Sequence, residues 1–95
     1  MPNNNYKKGY SWEREIINIL SKLNYNSIRS GGSKGVWDII SWNAENIRFI
    51  QAKFYNKKFS LKKETEKIKK EIVPRGAKKE IWVKQDRKGY IIHEI

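Results

Sequence analysis

Ninety-five residues hold one small domain, and 21 Lys or Arg against 10 Asp or Glu leave a formal net charge of +11. With 38% hydrophobic and 13% aromatic residues the chain is too apolar for disorder, while its apolar runs are too short for a membrane-spanning helix. The absence of Cys and the single His exclude a disulfide framework, a thiol nucleophile, a Cys-based zinc site and His-pair metal motifs.

The charge is uneven. Residues 1–50 carry seven basic and four acidic groups, whereas residues 51–95 carry fourteen and six. Such an excess favours a polyanion through counterion release, with nucleic acid preferred over a solubilising surface. A membrane surface fits less well, because the basic helix described below has only a thin apolar stripe. The opening MPNNNYKKG lacks the apolar stretch of a secretory signal, so an intracellular location is expected.

Residues 1–8 read as a polar, flexible, basic arm before a single domain over 9–95. Ser11 is placed to cap a first helix, with Glu13 and Glu15 in its first turn and Trp12, Ile16, Leu20 and Leu23 on its inner face. Asn24-Tyr25-Asn26 should end it. Ile28 and Arg29 suggest a short strand, stopped by Ser30-Gly31-Gly32-Ser33-Lys34-Gly35, a loop in which the backbone must bend sharply or approach a ligand closely. Val36–Trp42 and Ile47–Tyr55 read as a β-hairpin turning at Asn43–Asn46. Ser60 should cap a second helix reaching Val73, with Leu61, Thr65, Ile68 and Ile72 facing inward and Pro74-Arg75-Gly76 beyond its end. Glu80–Lys84 and Tyr90–Ile95 form a last hairpin. The order α-β-β-β-α-β-β describes an α/β domain, a mixed central sheet flanked by helices.

Alternation along the third strand sends Gln51 and Lys53 to one face and Ile50, Ala52 and Phe54 to the other. A polar pair on a central strand is costly to bury without partners. Hairpin pairing brings Asp38 close to that pair, and Glu13 lies on a helix neighbouring the same sheet. The alternatives are ordinary ones: Glu13 as a favourable first-turn charge, Asp38 as a turn residue, and Gln51 and Lys53 as a solvated sheet face.

The ordered set of motifs resembles the PD-(D/E)XK nuclease superfamily and, within it, the archaeal Holliday junction resolvases. Lys8-Gly9 followed by Glu13-Arg14-Glu15 is similar to that family's Gly-x-x-x-Glu-Arg-Glu segment. Ile28-Arg29-Ser30-Gly31-Gly32-Ser33 is similar to its Val-Arg-Ser…Ser segment. Asp38 and Gln51-Ala52-Lys53 occupy its Asp…Glu-x-Lys positions, and Gly89–Glu94 resembles its final strand. Two departures stand out: Val36-Trp37-Asp38 replaces Pro-Asp, and Gln51 replaces a metal-binding carboxylate.

The resemblance implies a restriction-endonuclease-like core and a metal-dependent DNA endonuclease acting on four-way junctions. Glu13, Asp38 and Gln51 would hold Mg²⁺, with Mn²⁺ a substitute, and Lys53 would complete the catalytic set. Lys7, Lys8, Arg14 and Arg29 would contact DNA, as would Ser33 and Lys34 in the glycine-rich loop and Lys62 and Lys63 on the second helix. Two symmetric incisions imply a homodimer. The competing functions are a restriction- or repair-type nuclease on other DNA, and a DNA-binding module whose Gln51 marks lost catalysis.

Overall fold

The computed structural model describes residues 4–30, 36–55, 60–85 and 88–95, with residues 4–9 as backbone only. Helix α1 (Asn4–Lys22) precedes strands β1 (Asn26–Arg29), β2 (Ile39–Trp42) and β3 (Ile47–Tyr55), and helix α2 (Leu61–Lys69) precedes β4 (Lys78–Gln85) and β5 (Tyr90–Glu94). The five strands make one sheet in sequence order. Neighbours are antiparallel except for β3 and β4, which run parallel. A parallel pair needs a crossover, and α2 lies in that connection. The α/β order expected from the sequence is therefore the order observed.

The sheet buries a different set of side chains on each face. Trp12, Ile16 and Leu20 of α1 pack with Ile39, Ile50 and Trp82, joined by Ala52 and Phe54. Ile68 of α2 packs with Ile81 and Val83, joined by Leu61 and Tyr55. The odd and even positions of β3 thus divide between the two helices, as strand pleating requires. Among the described residues no helix is long and apolar enough to cross a membrane.

Both helices depart from the expected boundaries. Helix α1 starts at Asn4, so positions 4–8 are helical rather than a flexible arm and Ser11 lies well inside the helix instead of capping it. Its end falls at Lys22, followed by Asn24 with φ 67° and by the bond from the Tyr25 N–H to the Leu20 carbonyl. A left-handed Asn just past the last turn is a common stop that satisfies otherwise unpaired carbonyls. Helix α2 has the expected cap, the Ser60 hydroxyl accepting from the Lys63 N–H, but it stops at Lys69 rather than Val73. Ile72 is consequently 96% exposed instead of facing the core. Pro74 disfavours helical backbone at Val73, and β-branched Ile72 and Val73 add little helix propensity to oppose that.

Candidate active site

Register decides where the site forms. Strand β2 pairs with only the first four residues of β3, ending at Ile39 opposite Ile50, while β3 continues alongside β4 to Tyr55. Beyond Ile50 the β2-side edge of β3 has lost its ladder partner. Asp38 sits at that divergence. Its N–H donates to the Ile50 carbonyl at 2.9 Å, and its Oδ2 accepts from the Ala52 N–H at 2.8 Å. The side chain thus replaces the missing strand partner and fixes its carboxylate at the backbone of Ala52, the residue between Gln51 and Lys53.

Burial pushes the Asp38 carboxyl above the usual carboxylate range, against the Ala52 hydrogen bond, which lowers it. The charge of Glu13 raises it further, while Lys53 and Arg29 pull it down. The residues expected to act together therefore share one electrostatic field. A half-buried acid with opposed charged neighbours is a recurring signature of a reactive site.

Gln51 is buried, and its Oε1 has no hydrogen-bond partner among the described residues. A carbonyl oxygen out of water and without a donor is costly, so this atom calls for a hydrogen-bond donor or a cation. Lys53 is half-buried and its Nζ lies 3.7 Å from Glu64 of α2, whose other oxygen is 3.9 Å from Lys67.

Glu13 stands mid-helix, far from the first turn in which a helix dipole would favour it. The ordinary explanation of Glu13 as a first-turn charge therefore fails. Its partner is tertiary: the Arg29 Nε donates to its Oε1 at 2.8 Å. Arg29 also lies over the ring of Tyr10, 4.4 Å from its centroid, and Arg14 is 5.8 Å from the same ring. Arg14 is exposed beside it on α1, and Lys62 and Lys63 are exposed on α2. Ser33 and Lys34, and the side chains of Lys7 and Lys8, lie outside the described residues.

Two contributors carry no motif in the sequence. Tyr10 is 39% exposed and lies under the guanidinium groups of Arg29 and Arg14; its spacing of four from Arg14 on α1 is the one available signal. Glu64 reaches Lys53 only because α2 covers that face of the sheet, and no local pattern announces it.

Among the described residues no three His, Cys, Asp or Glu side chains gather as a metal cluster. The donors expected from the sequence are two carboxylates, Glu13 and Asp38, whose charges interact, and the amide oxygen of Gln51, which has no partner among the described residues. All are hard oxygen donors of the kind Mg²⁺ takes, and an ion would supply the charge that Gln51 Oε1 lacks.

The sheet and its two helices superpose on a solved structure, a Holliday junction resolvase Hjc from the archaeal hyperthermophile Archaeoglobus fulgidus. The TM-score is 0.71 over 90% of this chain and 76% of that one, at 21% identity. The fold is thus of the class found in that archaeal protein. The family model of the archaeal Holliday junction resolvases (Hjc) matches residues 4–95, and the chain belongs to that family. The crossover junction endodeoxyribonuclease Hjc of Methanocaldococcus jannaschii is 42% identical over 60 residues, a match covering 62% of this chain and 44% of that relative's length.

Proposed function

We propose that the protein is a divalent-metal-dependent endonuclease that cuts branched DNA, with four-way junctions as its preferred substrate and a homodimer as the working form. The observation that carries this is the Asp38 carboxylate bonded to the Ala52 N–H, between Gln51 and Lys53 and in the field of Glu13. The relatives' names supply the junction. The net charge of +11 supplies the attraction for a polyanion.

Glu13, Asp38 and Gln51 would hold Mg²⁺, which when bound polarises the scissile phosphate and lowers the pKa of its water. The remaining work falls to the chain. Asp38 is held by the β3 backbone and needs no rearrangement to present its free oxygen. Lys53, kept near the site by Glu64, places a positive charge beside the phosphate as negative charge develops on it. Arg29 and Arg14 hold flanking phosphates through planar, multidentate donors. A two-fold dimer would bring two such sites to symmetric strands of a junction.

Cleavage measured across a Mg²⁺ titration, on four-way and linear DNA at equal concentration, tests the assignment. Preferential, paired incision of the junction is expected, abolished in Asp38→Asn and Lys53→Ala and impaired in Glu13→Gln. Equal cutting of linear DNA would point to a restriction- or repair-type nuclease. Tight junction binding without cleavage at any metal concentration would leave a DNA-binding module.

A further inference from the structure

The Glu13–Arg29 pair sets two requirements of the site against each other. Arg29 Nε holds Glu13 Oε1 at 2.8 Å, and both side chains keep partial access to solvent, 33% for Arg29 and 21% for Glu13. A carboxylate that accepts a charge-assisted bond from a guanidinium is a poorer ligand for a cation, because one of its lone pairs is engaged and a positive charge already lies beside it. A guanidinium committed to a carboxylate is likewise a poorer grip for phosphate. Tyr10 lies over one face of the guanidinium, and the Arg29 side chain keeps enough access to solvent for an incoming anion to reach it. Asp38 feels both Glu13 and Arg29, so the pair belongs to the same electrostatic unit as the central acid.

We infer that Arg29 is a positioning residue that occupies Glu13 in the free protein and yields it when a DNA phosphate engages the guanidinium, so that DNA and divalent cation bind with positive coupling. The inference rests on the assignment of Glu13 and Asp38 as cation ligands. Linkage makes the effect reciprocal: the factor by which DNA tightens cation binding equals the factor by which cation tightens DNA binding. The device keeps the metal site weak until substrate is present.

Calorimetric titration with Ca²⁺, a hard oxygen-seeking probe, separates this latch from a general field effect when four DNA-free proteins are compared. Arg29→Gln should bind Ca²⁺ about three- to tenfold tighter than the parent protein, the size expected for one partly exposed charge-assisted bond. Arg14→Gln removes the same charge from the same aromatic neighbour, yet Arg14 pairs with no acid among the described residues; it should change Ca²⁺ affinity by less than about twofold at ordinary ionic strength. Asp38→Asn is the blank and should lose Ca²⁺ binding. Junction binding is then measured by fluorescence anisotropy with Ca²⁺ and with chelator. The parent protein should bind more tightly with Ca²⁺, and Arg29→Gln should bind more weakly and lose most of that Ca²⁺ dependence. Arg29→Lys, which keeps the charge but not the Nε donor, should fall between the two and guards against misfolding of the first variant.

Equal gains from Arg29→Gln and Arg14→Gln, or no gain from Arg29→Gln, would overturn the latch while leaving the cation site standing. Undiminished Ca²⁺ binding by Asp38→Asn would overturn both the latch and the site, and is distinguishable from the first result.

Discussion

The carboxylate of Asp38 stands 2.8 Å from the backbone N–H of Ala52, on the stretch of β3 that β2 no longer covers. One bond therefore both closes the sheet ladder and aims the central acid of the site. The arrangement costs stability, since burial works against the ionised form of Asp38.

Asp38→Asn should accordingly raise thermal stability at neutral pH while abolishing cleavage. The amide oxygen can still accept from Ala52, and the half-buried charge is gone. The sign follows from proton linkage. A carboxyl whose folded value is raised binds more protons folded than unfolded between those two values, so stability falls as pH rises through that window. The stability gap between variant and parent should be widest above the window and close below about pH 4, where unfolded Asp is protonated. Melting curves of both proteins across this range check it; a gap independent of pH would place Asp38 in a solvated setting.

Gln51 makes a prediction of opposite sense for metal and for fold. Gln51→Leu removes a buried oxygen that has no partner among the described residues, and should stabilise the metal-free protein by about 1 kcal/mol while weakening metal binding. Gln51→Glu should destabilise the metal-free protein through burial of a charge and bind Mg²⁺ roughly tenfold tighter. Urea unfolding with and without Mg²⁺, joined to calorimetric titration, reads both quantities. Identical metal affinities across the series would take Gln51 out of the coordination shell.

A third prediction concerns the polar cluster on the α1 face. Glu80 is 2% exposed and accepts from Arg48 Nη1 at 2.8 Å and from Trp82 Nε1 at 2.9 Å. Arg48 in turn lies 4.9 Å from the centroid of the Tyr25 ring and lowers the Tyr25 phenol below its ordinary range. Glu80→Ala leaves the partly buried Arg48 guanidinium without its carboxylate and should cost about 2–4 kcal/mol of stability, somewhat below the loss for a fully buried pair. Replacing both partners, Arg48→Met with Glu80→Leu, should recover much of that loss. Chemical denaturation of the two variants checks it, and a small effect of Glu80→Ala would mean that water already solvates the pair.

For DNA, Lys62 and Lys63 are exposed on the first turn of α2. If both neutralise phosphates, replacing them with Ala should reduce the slope of log affinity against log salt by about 2 and leave the metal dependence of cleavage unchanged. Binding isotherms at several salt concentrations measure the slope; an unaltered slope would put the DNA track elsewhere.

Much was legible in the amino-acid sequence because local rules govern it. Apolar spacing from Trp12 to Leu20 marked the buried stripe of α1, alternation marked β3 from Ile47 to Tyr55, Ser60 marked the start of α2, and Asn24 marked the stop of α1. The set Glu13, Asp38, Gln51 and Lys53 was expected from a resemblance in motif order rather than from local rules.

Only tertiary structure decided what those residues touch. That α1 begins at Asn4 removed the helix dipole as an explanation of Glu13 and left Arg29 as its partner. The end of α2 at Lys69 sent Ile72 into solvent although its spacing suited the inner stripe, and Ile68 alone of its helix became fully buried. The Asp38–Ala52 bond depends on the residue at which two strands part, which is a property of register rather than of either strand. Glu64 meets Lys53 because a parallel β3–β4 pair requires a crossover and α2 lies within it over that face. Periodicity specifies which face of an element is apolar, and burial of that face selects the fold. The partner each polar side chain finds is then set by where the packed elements start, stop and cross, and those distances arise between segments far apart in the chain.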